Sequence, residues 1–196
     1  MSKVAIFASG AGSNADRILQ FLAERQSLVE IDCIVTNREL AGIYTVAKKF
    51  DVPIYYFSNS DFAEGTLVLD FLQKREVEWI VLAGFLRKIE PIMVDAFENK
   101  IFNLHPALLP KYGGKGMYGK FVHEAVLAAG EKESGISIHL VNREFDKGAI
   151  LFQANCDIAK GQTVEGLAEK IQKLEHEYFA LTIVQHINNR KDGLKP

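Results

Sequence analysis

Val4–Asn14 reads VAIFASGAGSN, and it passes from an apolar, β-favouring run through a glycine-rich loop into a helix. The helix pattern continues through Ile18, Leu19, Phe21 and Leu22, whose spacing places them on one face of a helix. A strand that leads through glycines into a helix is a typical opening unit of an α/β sheet. We therefore expect the following chain to repeat this unit.

The same alternation of apolar runs and amphipathic segments continues as far as Leu104. The predicted strands are Val29–Thr36, Val52–Phe57, Trp79–Ala83 and Ile101–Leu104, and the predicted helices are Ala41–Phe50, Phe62–Arg75 and Ile89–Phe97. Strands that alternate with helices over short links form a parallel sheet with helices on both faces. In such sheets, ligands bind beyond the carboxyl ends of the strands.

The pattern changes after the fifth predicted strand. The sequence predicts a mobile glycine-rich loop at Lys111–Lys120, followed by a helix at Phe121–Ala129. It then predicts an antiparallel pair of strands, Gly135–Val141 and Ala149–Asn155. Thr163 suits the N-cap of a long last helix, with Glu165 in its first turn. The predicted fold is therefore α/β, with a doubly wound, mostly parallel sheet, a Rossmann-like N-terminal half and an antiparallel strand in the C-terminal part. We expect one domain over residues 1–196.

Composition limits the class of protein. The chain has 196 residues, of which 48% are apolar and 24% charged, and its formal net charge is −2. These values are typical of one soluble globular domain and indicate no nucleic-acid surface. The chain reaches its first strand too soon for a signal peptide, and it has no apolar run of membrane-spanning length. Cys33 and Cys156 lie in apolar runs, which indicates free thiols, and we expect a cytoplasmic protein.

The glycine loop Gly10–Asn14 is the first candidate binding site. Its backbone N–H groups lie at a helix N-terminus, where anions bind, and its last two side chains are polar and suit a phosphomonoester. Gly10 and Gly12 also fit a loose dinucleotide fingerprint, although the acidic residue that NAD requires after the second strand is missing. Arg38 follows that strand instead, which leaves an NADP-dependent reductase as the alternative function.

The second candidate site follows the fifth predicted strand, where Asn103–Pro110 reads NLHPALLP. Asn103 and His105 are two residues apart, so they point to the same side of an extended chain, and the two prolines stiffen the segment after His105. An imidazole transfers protons near neutral pH, and an amide donates to an oxygen that gains charge. Asp146 is the best candidate for a carboxylate partner, although its position also suits a turn-former.

Other polar residues each allow a structural and a functional interpretation. Gly84–Ile89 follows the most apolar strand and suits either a slot for a flat ring or a plain turn. His139 alternates with apolar residues and is interpreted as structural, and His123 is interpreted as solvated. Gln172 and Glu175 lie one turn apart on the last helix, where a polar surface is the simpler explanation. No Cys/His spacing indicates a zinc site.

Four parts of the chain together carry a resemblance to a known family: Ser9–Asn14, Leu82–Arg87, Asn103–Pro110, and Gly135–His139 with Asp146. They resemble the phosphoribosylglycinamide formyltransferase family of folate-dependent formyltransferases, over nearly the whole chain. The resemblance implies transfer of a formyl group from 10-formyltetrahydrofolate to the amine of glycinamide ribonucleotide in purine biosynthesis. It implies two small-molecule substrates and no metal, nucleic acid or membrane, and it leaves a homodimer open.

The same resemblance assigns roles to residues. Gly12, Ser13, Asn14, Gln172 and Glu175 would bind the ribonucleotide, with its phosphate on the first three. Leu86, Arg87, Lys88, Ile89, Asn103, Asn142 and Asp146 would bind the folate. Asn103, His105 and Asp146 would be catalytic, with His139 as an auxiliary residue. Residues 1–102 would then form the phosphate- and nucleotide-binding half, and residues 103–190 the catalytic and folate-binding half.

The implied mechanism passes through a tetrahedral intermediate. Asn103 and protonated His105 would stabilise its oxyanion, and Asp146 would favour the charged imidazole and assist proton transfer. The chain departs from the family at Ser58–Gly65, which holds Asp61 and no arginine where members often carry one for the folate carboxylates. The candidate replacements in the long glycine-rich loop are Lys111, Lys115 and Lys120.

Overall fold

The computed structural model describes residues 1–191 and 193. The strands in this part of the chain are β1 (Ser2–Phe7), β2 (Val29–Thr36), β3 (Ile54–Tyr56), β4 (Trp79–Leu82), β5 (Ile101–His105), β6 (Glu133–Leu140) and β7 (Ile150–Asp157). The helices are α1 (Ser13–Ala23), α2 (Ile43–Phe50), α3 (Asn59–Glu64), α4 (Thr66–Lys74), α5 (Pro91–Ala96), α6 (Lys120–Ala128) and α7 (Val164–Lys191). Cys33 and Cys156 are both free thiols, as expected.

These strands form one sheet in the order β3-β2-β1-β4-β5-β6-β7. Neighbouring strands from β3 to β5 are parallel, whereas β6 runs antiparallel to both β5 and β7. The predicted α/β fold class is therefore confirmed, including the antiparallel strand in the C-terminal part. The order in which the strands are added reverses at β1, because β2 and β3 lie on one side of β1 and β4 and β5 lie on the other. Such sheets leave a crevice for ligands at this point, here between β1 and β4.

The central strand β1 sends its side chains alternately into two apolar cores. Val4 and Ile6 pack in a cluster with residues of α1, α2, α6 and α7, whereas Ala5 and Phe7 pack in a cluster with residues of α3, α4 and α5. All four side chains are fully buried. Burial on both faces explains why β1 is a continuous apolar run, and it gives the loop after β1 a rigid base.

The predicted single helix Phe62–Arg75 is wrong, because the segment forms two helices that meet at Gly65. Gly65 has a φ of +75°, and a Cβ at this position would come within 2.8 Å of Cγ2 of Ile92. Ser58 and Asp61 form a capping box that starts α3 earlier than predicted. The apolar spacing continues across the break, so helical periodicity alone does not reveal it.

Local chemistry sets the ends of two other helices. α5 begins at Pro91, later than predicted, because Glu90 is extended in front of the proline. α7 begins as predicted after Thr163, whose hydroxyl accepts a hydrogen bond from the backbone N–H of Gly166 at 3.1 Å.

The strands of both predicted halves belong to the same sheet, and the division at residue 102 stays a prediction. Residues 192 and 194–196 of the predicted domain lie outside the described part of the chain. Within the described part, no helix is both long and apolar enough to cross a membrane.

Candidate active site

A cavity of about 320 Å³ opens at the carboxyl ends of β4 and β5. Its walls come from residues 82, 84–89, 103–106, 114, 116–119 and 141–146, and from Asn14, His123, His139 and Glu175. The segments that follow β4, β5 and β6 therefore line the same cavity as Asn14 of the glycine loop.

Asn103 and His139 lie opposite each other on the antiparallel strands β5 and β6. The Nδ2 atom of Asn103 is 3.1 Å from Nε2 of His139, and Nδ1 of His139 is 3.0 Å from the carbonyl oxygen of Leu140. A carbonyl can only accept, so Nδ1 carries the hydrogen and Nε2 accepts from the amide. His139 is buried, as a structural histidine would be, but it also lines the cavity and contacts a predicted catalytic residue.

His105 ends β5 and is only 3% exposed. Its Nε2 is 2.7 Å from the carbonyl oxygen of Tyr112 and donates a hydrogen bond to it, while Nδ1 lies 3.7 Å from Oδ2 of Asp146. Burial lowers the pKa of His105 below its ordinary value, although the charge of Asp146 and the Tyr112 carbonyl act to raise it. Asp146 thus acts in the expected direction, since it favours the charged imidazole, but the effect of burial on the pKa of His105 is larger.

Asp146 reaches the cavity from the loop between β6 and β7, where its φ is +53°. Its Oδ2 accepts a hydrogen bond from the N–H of Gly114 at 2.9 Å, and its Oδ1 lies 3.6 Å from Nε2 of His139. Burial raises the pKa of Asp146, but His139, the Gly114 N–H and the charge of His105 outweigh it, so the net pKa is below its ordinary value. Asp146 is therefore an ionised carboxylate placed between two imidazoles.

The glycine loop ends at Gly12, which forms the N-cap of α1 with a φ of +82°. A Cβ at this position would come within 2.6 Å of Cδ1 of Ile43, so the loop lies directly against α2. Ser13 is exposed at the first position of α1, and Asn14 follows it on the cavity wall. The first-turn N–H groups of a helix have no partner within the helix, so this turn can bind an anion.

Glu175 reaches the same region from α7. The Nδ2 atom of Asn14 donates a hydrogen bond to Oε2 of Glu175 at 2.8 Å. Burial raises the pKa of Glu175, although the hydrogen bond from Asn14 acts to lower it. Gln172, one turn earlier, is exposed and lies outside the cavity wall. The structure thus joins Asn14 with Glu175 and leaves Gln172 apart from them.

The segment predicted to border the folate lines the cavity at Leu86, Arg87, Lys88 and Ile89, and so does Asn142. Ile89 is buried, whereas Leu86 is 54% exposed beside the cavity. Nζ of Lys88 lies 5.3 Å from the ring centroid of Phe145, a cation–π contact. Nε of Arg87 is buried and has no hydrogen-bond partner among the described residues.

The turn after β5 is held by side chains that the sequence interpretation missed. Oγ of Ser137 donates to the carbonyl oxygen of Ala107 at 2.7 Å and accepts from the N–H of Leu109 at 2.9 Å. Nε2 of Gln153 lies 3.0 Å from the Leu109 carbonyl oxygen and 2.8 Å from Oγ of Ser137. Alternation along β6 places Ser137 and His139 on one side of the strand, and this is the signal that could have found Ser137.

The prediction that His123 is solvated is wrong. This residue is 6% exposed on α6 and lines the cavity. Burial lowers its pKa, and nearby His105 lowers it further. His123 lies between the buried Val122 and Val126, so its place on the apolar face of α6 follows from helical spacing.

The three lysines considered for the folate carboxylates differ in their surroundings. Nζ of Lys111 is 2.9 Å from Oε1 of Glu131, and Nζ of Lys120 is 3.6 Å from Oε1 of Glu124. Among the described residues, Lys115 has no ion-pair partner, and it is exposed. Lys115 is therefore the replacement that would lose no existing ion pair on binding a carboxylate.

Known proteins resemble this chain over nearly its whole length. The sequence pattern of the formyl transferase family matches residues 2–183. The chain is 36% identical to the chloroplastic phosphoribosylglycinamide formyltransferase of Arabidopsis thaliana, over 98% of this chain and 69% of the relative. It is 33% identical to the phosphoribosylglycinamide formyltransferase of Bacillus subtilis (strain 168), over 97% of this chain and 98% of the relative.

A solved structure extends the likeness to three dimensions. The crystal structure of glycinamide ribonucleotide transformylase 1 from Symbiobacterium toebii matches with a TM-score of 0.89 at 27% sequence identity. The match covers 97% of this chain and 89% of that one. In sequence and in fold, this chain therefore belongs to the phosphoribosylglycinamide formyltransferase family.

Proposed function

We propose that this chain transfers a formyl group from 10-formyltetrahydrofolate to the amine of glycinamide ribonucleotide, a step of purine biosynthesis. The observation that carries the proposal is the meeting of Asn103, His105 and Asp146 in one cavity. The plant and bacterial relatives are named for formyl transfer to this ribonucleotide, which supports the same substrate here.

The ribonucleotide is proposed to bind at the glycine loop and at α7. Its phosphate would lie on Gly12, Ser13 and Asn14, where the N–H groups and the dipole of α1 favour an anion. Glu175 and Gln172 would contact the remainder of the ribonucleotide. Because burial raises the pKa of Glu175, a ligand N–H or O–H that reaches it favours the ionised form and gains a charge-assisted hydrogen bond.

The folate is proposed to lie along Leu86, Arg87, Lys88, Ile89 and Asn142, with its reactive end at Asn103 and Asp146. Leu86 and the ring of Phe145 offer exposed apolar surface for a flat ring system. Arg87 and Lys88 offer positive charge beside that surface. Lys115 adds a cation for the carboxylate tail.

The proposed chemistry uses the catalytic side chains in one exchange. The neutral amine nitrogen attacks the formyl carbon, and the carbonyl electron pair moves to oxygen, which gives a tetrahedral oxyanion. Asn103 donates to this oxygen with the Nδ2 hydrogen that His139 does not accept. Asp146 takes the proton from the attacking nitrogen, directly or through a water, and passes it to the folate nitrogen as the carbon–nitrogen bond breaks.

His105 is proposed to gain charge during this step, because the proton that Asp146 takes from the attacking nitrogen can be held by Nδ1 of His105 before it passes to the folate nitrogen. Its Nε2 is held by the Tyr112 carbonyl, so Nδ1 is the nitrogen that faces Asp146. An oxyanion that forms nearby favours the imidazolium, which offsets the lowering of the His105 pKa by burial. The protonated Nδ1 then donates to the oxyanion together with Asn103.

The proposed partners are small molecules. Three further points stay predictions: the absence of nucleic-acid and membrane partners, the cytoplasmic location and the homodimer. Across residues 1–191 and 193, no group of three or more His, Cys, Asp or Glu side chains is arranged to hold a metal ion. The alternative NADP-dependent reductase is not supported, because the relatives are transferases. Arg38, on which that alternative depends, is exposed and lies outside the cavity wall.

The test is to mix the protein with 10-formyltetrahydrofolate and glycinamide ribonucleotide and to follow the absorbance of the deformylated folate. We expect consumption only when both substrates are present, with formylated ribonucleotide found by mass spectrometry. Release of formate at the same rate without the ribonucleotide would indicate a hydrolase and would overturn the proposal. No consumption of the folate under any condition would overturn it as well.

A further inference from the structure

Ser9, at the end of the first strand, makes two hydrogen bonds to the turn that precedes the predicted folate segment. Its backbone N–H donates to the carbonyl oxygen of Gly84 at 3.2 Å. Its Oγ accepts from the backbone N–H of Leu86, also at 3.2 Å. The two bonds lie on either side of Phe85, so Ser9 fixes the backbone of this turn at both ends.

The hydroxyl of Ser9 is itself oriented by a neighbour. Since the Leu86 N–H can only donate, the Ser9 hydroxyl hydrogen is free to donate to Oδ1 of Asn37, at 2.7 Å. Nδ2 of Asn37 in turn donates to Oδ1 of Asn59 at 2.9 Å. Asn37 therefore turns a lone pair of the Ser9 hydroxyl toward Leu86.

The turn has a second anchor that does not involve Ser9. The ring of Phe85 is buried and packs edge-on against Phe7, with ring centroids 5.4 Å apart. It also packs against Phe62 in a tilted arrangement, with centroids 4.8 Å apart. The packing of Phe85 holds the turn against the apolar core, whereas the hydrogen bond from the Leu86 N–H to Oγ of Ser9 fixes the orientation of the backbone after Phe85. The exposed Leu86 side chain is presented to the cavity as a result.

Ser9 does not face either substrate. It is 2% exposed, it lies outside the cavity wall, and its side chain points to Leu86 and Asn37 rather than to the anion-binding turn that begins at Gly12. A defect at Ser9 should therefore reach the folate through Leu86 and should leave the ribonucleotide site in place.

We propose that Ser9 is a positioning residue for the folate, in which a hydroxyl oriented by Asn37 holds Leu86 and the segment after it against the cavity. The proposal rests on the proposed function, because it assigns the folate to the segment that contains Leu86. It adds a group that touches neither substrate nor reacting atoms.

The test is Ser9→Ala, studied by steady-state kinetics with each substrate varied in turn. We expect the KM for 10-formyltetrahydrofolate to rise about three- to tenfold, the change that corresponds to the loss of one net hydrogen bond. The kcat and the KM for the ribonucleotide should stay within about twofold of the wild-type values. Asn37→Ala, which removes the acceptor that orients the hydroxyl, should raise the same KM by a smaller factor.

Ser60→Ala is the matched control, since Ser60 is exposed and its hydroxyl forms a hydrogen bond with Ser58 alone among the residues that the structure describes. Its KM values should equal those of the wild type. Melting temperatures of all variants show whether they are folded, and folate binding measured by fluorescence quenching gives a second readout for Ser9→Ala.

Two results would overturn the assignment. One is an unchanged folate KM in Ser9→Ala, and the other is an equal rise in the KM of both substrates, which indicates general loosening of the loop. Failure of the proposed function is separate, because the wild-type protein would then transfer no formyl group in the same assay.

Discussion

Two backbone carbonyls decide which ring nitrogen of each buried histidine carries the hydrogen. The Tyr112 carbonyl accepts a hydrogen bond from Nε2 of His105, and the Leu140 carbonyl accepts one from Nδ1 of His139. In the neutral site, both remaining nitrogens therefore lie toward the carboxylate of Asp146. A carboxylate and two imidazole nitrogens thus face one another, an arrangement that suits the proposed transfer of a proton between two nitrogens.

His105→Ala and Asp146→Asn are each expected to fold and to lose about 10²- to 10³-fold in kcat, because one loses an oxyanion donor and the other loses the proton acceptor. The asparagine keeps an oxygen that accepts from the N–H of Gly114, so the loop position is retained. Rates at saturation with both substrates and melting temperatures measure the two effects.

Asp70→Asn, at an exposed aspartate of α4, is the matched control and should keep the wild-type rate. Either site variant that transfers formyl groups at the normal rate removes its residue from the mechanism.

Glu175→Gln is expected to stabilise the protein and to weaken ribonucleotide binding. Because burial raises the pKa of Glu175, its ionised form near pH 7 costs free energy of folding that a neutral amide does not. Asn14 can still donate to the amide oxygen, so the melting temperature should rise by about 1–4 °C. The KM for the ribonucleotide should rise about tenfold, the loss of one charged hydrogen bond.

Thermal melts and kinetics with the ribonucleotide varied check both effects. Glu177→Gln, at an exposed position of the same helix, should change neither quantity. A lower melting temperature with an unchanged KM would show that Glu175 is a structural residue instead.

The sequence could predict Asn103, His105 and Asp146 as candidates because their side chains have suitable chemistry, and the structure places all three at one cavity. It could not predict the contacts of Tyr112 and Gly114, because these residues act through backbone groups that every residue type shares. The residues alone also could not predict the burial of His105, whose effect on the pKa exceeds the effect of the nearby carboxylate.

The anion-binding turn depends on one element junction, the N-terminus of α1. Gly12→Ala is expected to destabilise the protein by about 1–3 kcal/mol, because an alanine is strained at a φ of +82° and its Cβ collides with Ile43. Relief of this collision should displace the N-terminus of α1, and this displacement should raise the KM for the ribonucleotide more than the KM for the folate. Denaturant titration and kinetics measure these changes.

Gly10→Ala is the matched control, because Gly10 is exposed and a Cβ there would meet nothing within 4 Å. If Gly10→Ala and Gly12→Ala lose equal stability, the strain at Gly12 is not the cause.

Sequence patterns predicted which segments form helices and strands better than they predicted where a helix is broken. The alternating strands and helices were visible because each element carries its own apolar period. The break between α3 and α4 was not visible, because the close approach of Gly65 to Ile92 involves a residue of another helix segment. The pairing of β5 with an antiparallel β6 was also needed to place His139 opposite Asn103.

Stability of the whole molecule is expected to fall as the pH drops below about 6.5. Burial lowers the pKa of four histidines, so below the ordinary value of 6.5 the unfolded chain binds protons that the folded chain does not. These are His105, His123, His176 and His186. Glu175 acts in the opposite direction, because its raised pKa lets the folded chain take up a proton first. Four histidines outweigh one carboxyl between about pH 5.5 and 7.5.

Melting temperatures measured across this range should therefore be lower by several degrees at the acidic end. His186→Gln should reduce the dependence, since it removes one of these titrating groups. A melting temperature that increases on acidification would contradict the assigned pKa shifts.

The helix α7 supplies Glu175 to the site and buries Leu167, Ile171, Phe179, Ile183 and Ile187 in the core on one face of the sheet. During synthesis, the strands that make this face leave the ribosome before residues 164–191 do. Until then, the nascent chain carries an uncovered apolar surface, the kind of surface that chaperones bind and that aggregates form from. The docking of α7 therefore completes the cavity wall and covers this apolar surface in a single late step.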